Sequence, residues 1–119
     1  MIKLIAVLKR KPGMSPQEFH DYWRDHHGSL VASTKSGRHA LRYEQNHRAD
    51  GIPDWLGTTD ADGVTIQWFE SVEDFVASVQ EDDYGLLAED MVKFLDTDSL
   101  IWLLTEDGEV VWNSLEAGA

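Results

Sequence analysis

The chain has 119 residues and no cysteine, with 42% apolar and 27% charged side chains. That fits one domain and excludes disulfides, thiolate metal sites and a cysteine nucleophile. Its formal net charge of −12 argues against nucleic acid, whose phosphates need a basic surface.

No basic and apolar leader pattern opens the chain, and no apolar run approaches a membrane-spanning length. A cytoplasmic location with no membrane partner is therefore expected, and one domain over residues 1–119. Ile2 to Lys9 form an apolar run that reads as a buried strand. Ser15-Pro16-Gln17-Glu18 is a capping-box start, with a serine cap, proline at the first helical position and glutamate three residues on. The helix is expected to reach about Gly28 or a turn beyond, with Phe19, Trp23, His26 and Leu30 on its inner face. Leu41, Tyr43, Gln45 and His47 share one side of a second strand. Arg48 to Gly63 reads as a long polar loop, mobile and near a pocket mouth, with Trp55 as a lid residue. Val64 to Phe69 is a third strand. A helix opens at Ser71 with Phe75 and Val79 inside. A break at Asp82-Asp83 leads to a helical stretch with Leu87, Met91, Phe94 and Leu95 inside. Leu100 to Leu104 is the last strand, and Val110, Val111 and Trp112 are expected to add a short edge strand.

The order β-α-β-β-α-β is the ferredoxin-like pattern of an α+β domain. The first and last strands are apolar on both sides, whereas an open sheet with one wet face alternates. The second face needs a cover, and a second copy of the chain is the economical one. A homodimer is expected.

Charge is unevenly spread. Residues 1–50 carry 9 Lys and Arg against 5 Asp and Glu, and residues 51–119 carry 1 against 17. All five histidines lie in the first half. The plain reading is a solvated acidic back. The sharper one is a cationic pocket for a small anionic or enolic ligand.

Chemistry concentrates in the first helix, at His20, Tyr22, Trp23, His26 and His27. Histidine is the natural proton shuttle near neutral pH, and a helix C-terminus would favour the protonated forms of His26 and His27. His47 could converge on the same pocket. The plainer alternative makes His26 a packed core residue and leaves His20 and His39 on the surface. Adjacent His26 and His27 point about 100° apart on a helix, and no His-x-x-x-His pair occurs, so no metal is expected. There is no glycine-rich phosphate loop and no Gly-x-Ser-x-Gly elbow. No cofactor is expected.

The Lys-Pro-Gly-Met-Ser-Pro turn, then Phe19-x-x-Tyr22-Trp23-x-x-x-His27-Gly28, resembles the hallmark helix of the EthD-like proteins. Tyr43-Glu44-Gln45-Asn46-His47 resembles that family's second strand. The match is specific over residues 1–47 and topological over 63–104. Ser29 stands where the family usually has proline. The resemblance implies a dimeric α+β barrel with two four-stranded sheets face to face. It also implies that His27, not the His26 that helical spacing favours, faces the pocket, and we follow the motif. Relatives of this fold include cyclases, decarboxylases, dehydratases, isomerases and cofactor-free monooxygenases. The expected activity is cofactor-independent proton transfer, of lyase or isomerase type, on a small aromatic or enolisable ligand. His27 would act as general acid/base, with His47 as relay or enolate stabiliser and Tyr43 and Tyr22 as donors. Trp23, Trp68 and Trp102 would form aromatic walls, with His26, Gln45 and Trp55 completing the binding set. The alternatives are a non-catalytic binder or accessory protein and, more weakly, a cofactor-free or haem-linked oxygenase.

Overall fold

The computed structural model describes residues 1–115. Its elements are β1 (Ile2–Leu8), α1 (Pro16–Asp21), a π-helical segment (Tyr22–His27), α2 (Gly28–Ser33), α3 (Lys35–Arg38), β2 (Arg42–His47), β3 (Gly63–Phe69), α4 (Val72–Val79), α5 (Tyr84–Phe94) and β4 (Ile101–Glu106). The strands form one sheet in the order β2-β3-β1-β4, antiparallel throughout. This is the ferredoxin-like α+β architecture. No helix among the described residues is long and apolar enough to cross a membrane.

The capping box forms as the sequence predicts. Ser15 Oγ accepts from Glu18 N–H at 3.1 Å, and Glu18 Oε1 accepts from Ser15 N–H at 3.0 Å. Two donors that a helix start leaves unpaired are thereby satisfied. After Asp21 the winding widens. Gly28 N–H donates to Trp23 O, five residues back, so each turn holds one residue more than an α turn. The buried residues of this rod are Phe19, Trp23, His27 and Val31, one every four positions. An α-helix drifts off its face at that spacing. The wide turn cancels the drift and turns His27 inward, leaving His26 largely exposed. The rod continues through α2 to Ser33. The two histidines therefore sit mid-rod, away from the C-terminal end that the sequence reading placed near them.

Pairing sets the faces of the sheet. Tyr43 lies opposite Gln67, Gln67 opposite Leu4, and Leu4 opposite Leu104. The next row is Gln45, Thr65, Ala6 and Trp102. Both rows face the helices. Ala6 and Leu8 pack with Phe19, Trp23, Phe94 and Leu95 in the core. Gly37, in α3, passes so close to α2 that a Cβ there would lie 1.9 Å from the Val31 carbonyl oxygen. No other residue fits. Asp83, at the expected break, caps α3 from a distance by accepting from Lys35 N–H at 2.7 Å and Ser36 N–H at 3.0 Å.

The far face of the sheet stays apolar and partly open. Ile5, Val7, Val64 and Ile66 are half-buried there, and Ile101 and Leu103 are exposed. The expected strand at Val110–Trp112 does not form: these residues leave the sheet after β4 and stand exposed, although β4 itself is an outer strand.

The Arg48–Gly63 loop is pinned at its base. Arg48 Nη1 donates to the carbonyls of Thr59 at 2.6 Å and Ala61 at 2.9 Å. The buried Asp62 accepts from Arg10 N–H at 2.8 Å and from its guanidinium at 2.7 Å. Trp55 sits in a single 3₁₀ turn, 82% exposed. Trp55→Ala should accordingly change stability by less than about 0.5 kcal/mol, read by urea unfolding. A larger loss would mean that the indole anchors the loop.

Candidate functional site

Between the helices and the sheet lies a cavity of about 90 Å³. Its walls are mostly apolar, with Leu4, Ala6, Val31, Phe69, Leu87 and Phe94 among them. Trp23, His27, Tyr43 and Trp102 also line it. The volume is below the roughly 150 Å³ of a cavity that holds one benzene. A ring of benzene size or anything larger needs the walls to yield.

His27 is held by α5. Its Nδ1 lies 2.7 Å from Oδ2 of Asp90, and Asp90 is 2% exposed. Tyr22 Oη donates to Oδ1 of the same carboxylate at 2.5 Å, and Nδ1 of the exposed His26 lies 3.1 Å from that oxygen. A carboxylate only accepts, so the network assigns the His27 proton to Nδ1. Nε2 keeps its lone pair. Burial holds the imidazole below its ordinary 6.5, outweighing the upward pull of Asp90, so it is neutral at pH 7. Burial pushes the Asp90 carboxyl up, but donors on Tyr22 and His27 and the nearby imidazoles hold it below the usual range. Burial, then the contact with Asp90, pushes the Tyr22 phenol up to about 12. Tyr22 therefore stays a donor to Asp90.

Tyr43 is held from behind. Gln45 Nε2 donates to Tyr43 Oη at 3.0 Å and to Trp23 O at 2.8 Å. The phenol oxygen thus accepts, and its own proton is free for a cavity acceptor. Burial keeps the phenol protonated, against the pull of the Gln45 donor. Gly28 makes room for this bridge, since a Cβ there would come within 3.1 Å of Gln45 Nε2. Trp23 Nε1 is buried and has no hydrogen-bond partner among the described residues.

The structure thus brings His27, Tyr43, Trp23 and Trp102 to one cavity, with Gln45 behind Tyr43. His26 and Tyr22 do not line it. Their rings stack on each other at 4.6 Å beside Asp90. His47 lies outside it as well. It packs on Trp23 at 4.4 Å, and its Nδ1 meets His20 Nδ1 at 2.6 Å in an open cleft that the Arg48–Gly63 loop borders. Trp68 points to the opposite face of the sheet, under the Arg42 guanidinium at 5.1 Å. Trp55 lines neither space. No group of three His, Asp or Glu side chains that could hold a metal occurs among the described residues.

Sequence reasoning missed Asp90. Its signal is a carboxylate between Leu87, Met91 and Phe94 on the apolar stripe of α5.

Comparison with known proteins finds the EthD domain over residues 11–98, beyond the segment whose motifs carried the resemblance. No curated protein matches the chain. Among solved structures, an EthD family protein of Bacillus halodurans is similar at 18% identity and a TM-score of 0.70, covering 91% of this chain and 99% of its own. SnoaB, a cofactor-independent oxygenase of Streptomyces nogalater, is similar at 11% identity and 0.63, covering 94% and 97%. A dimeric ferredoxin-like protein of Thermobifida fusca is similar at 11% identity and 0.64, covering 89% and 90%.

Proposed function

The chain belongs to the EthD family, and from that premise we propose that it is a cytoplasmic, homodimeric, cofactor-independent enzyme of lyase or isomerase type. Its substrate is a small enolisable or aromatic carbonyl compound. One observation carries the reading: a buried neutral imidazole, His27, that lines the cavity and whose Nδ1–H is committed to Asp90, which leaves Nε2 as the unprotonated nitrogen. That is the state of a general base.

Nε2 takes a proton from the carbon next to the carbonyl. The C–H electron pair moves into a C=C bond and the carbonyl π pair moves to oxygen, giving an enolate. The Tyr43 O–H donates to that oxygen, and the Asp90 carboxylate offsets the imidazolium charge. Where a C=C bond is conjugated with the enolate, the carbonyl re-forms as the far carbon takes the proton back from Nε2, which completes an isomerisation. Where a hydroxyl stands on the β-carbon, the carbonyl re-forms, a C=C bond replaces the C–O bond, and the departing hydroxyl takes the proton and leaves as water, which completes a dehydration. His47, whose Nε2 lies 3.2 Å from Gln45 Oε1, acts on Tyr43 through Gln45. Two sheets closing on each other would bury the apolar far face, and a dimeric neighbour supports that assembly.

The test is proton exchange. Small ketones and β-dicarbonyls are incubated with the protein in D₂O and followed by NMR. Deuterium should enter the α-carbon of at least one compound, and His27→Gln should abolish it. A compound that shifts the His27 resonances but never exchanges would make this a binding protein. The similarity to SnoaB favours a second reading, in which the same enolate passes electrons to dioxygen. Oxygen uptake during turnover would identify it.

A further inference from the structure

Past β4 the chain runs on as Asp107-Gly-Glu-Val-Val-Trp112 in no regular element. Val110, Val111 and Trp112 are 74%, 91% and 81% exposed. Three consecutive apolar residues that touch so little of their own chain are unusual on a soluble surface. Two acids, Asp107 and Glu109, precede them. At the other edge of the sheet, outside β2, lies a cleft of about 290 Å³. Val31, Ala32, Ala40 and Leu41 give it an apolar lining and Arg38 gives it positive charge, whereas the Arg42 guanidinium is paired with Glu44 at 2.8 Å. Leu41 is 56% exposed there. The arm offers acids and then apolar groups, and the cleft offers one cation, Arg38, beside apolar groups. The whole chain repeats this contrast between a basic first half and an acidic second half.

The two features sit at opposite edges, since β2 and β4 are the outer strands. In a two-fold pair, the β4 edge of one copy meets the β2 edge of the other twice over, so both arms find clefts and the contact closes. Val31, Gly37 and Tyr43 line both the cleft and the central cavity. They are the wall between them.

We infer that Glu109–Trp112 of one copy docks in the β2-edge cleft of a second copy and completes the cavity wall behind Tyr43. The inference rests on the homodimer reading above and adds the partner's contribution to each site. The absence of cysteine allows a clean test. Val111→Cys and Leu41→Cys are made in separate chains, mixed, and treated with a short bismaleimide. Both positions are exposed, so neither change threatens the fold. The expected result is a covalent dimer from this pair and none from Val111→Cys with Leu86→Cys, which lies on α5. In parallel, Val110→Asp with Val111→Asp should weaken self-association at least about tenfold. Dimers by light scattering with no selective crosslink would overturn the arm and leave the dimer standing. A monomer mass of 13.5 kDa at micromolar concentration would overturn both.

Discussion

Replacing His27 by glutamine lowers turnover by about 10²–10⁴-fold, the range that general acid–base catalysis contributes, while the chain stays folded. Glutamine keeps a polar side chain of similar reach toward Asp90 but offers no basic nitrogen to the cavity. The pH profile gives a second check. In the proposed role His27 works neutral, and its pKa lies below 6.5 because it is buried, so the acid limb of kcat/KM should fall below pH 6.5. Stability follows with the same sign. Between the folded and unfolded pKa values the unfolded chain binds more protons at this site. The His27 contribution is therefore full above about pH 6.5 and is lost as pH drops through the folded value. His26→Gln, at an exposed position, should leave turnover within a few-fold of wild type. Loss of activity in His26→Gln but not in His27→Gln would reverse the assignment.

Asp90→Ala should destabilise the fold by about 3–5 kcal/mol, the cost of breaking a buried charged network from one side. Burial, the Tyr22 hydroxyl and the His27 Nδ1–H all converge on this carboxylate. Removing it strands two donors in a site that water reaches poorly. Asp90→Asn keeps an acceptor and should cost less stability. It still removes the charge that raises the His27 pKa and offsets its imidazolium. Its acid limb should therefore move to lower pH while its plateau rate falls. Asp21, exposed on the same rod, is the control, and Asp21→Ala should stay within about 0.5 kcal/mol. Urea unfolding measures both, and an Asp90→Ala protein as stable as wild type would dismiss the network.

Much of this was legible from residue order. The capping box at Ser15, the alternation of Tyr43, Gln45 and His47, and the two-sided apolar strands are short-range patterns, and they led to the right elements and sheet. The conflict between His26 and His27 was legible only as a conflict. A 3.6-residue wheel assumes α winding, and nothing in Tyr-Trp-Arg-Asp-His-His announces a wider turn. The motif retained the answer because it records where the side chain ends up. Asp90 escaped notice because its partners, Tyr22 and His27, lie 68 and 63 residues away. Trp68 was assigned to the wrong wall because an apolar residue on a two-sided strand does not declare its face.

The wide turn also bears on when the site comes into being. It divides the rod into an α-helix of six residues, six π-wound residues and a second α-helix of six. Isolated helices shorter than about 12–15 residues hardly persist in water, and π winding is rarer still. Neither piece can nucleate alone, so His27 acquires its orientation only once β1 and α5 are present to receive it. Partly folded chains, including any released from synthesis before α5 has emerged, hold no base in position. The proposed activity should then be a late arrival on the folding route, and its recovery after dilution from denaturant should report the completed chain and not its first helix.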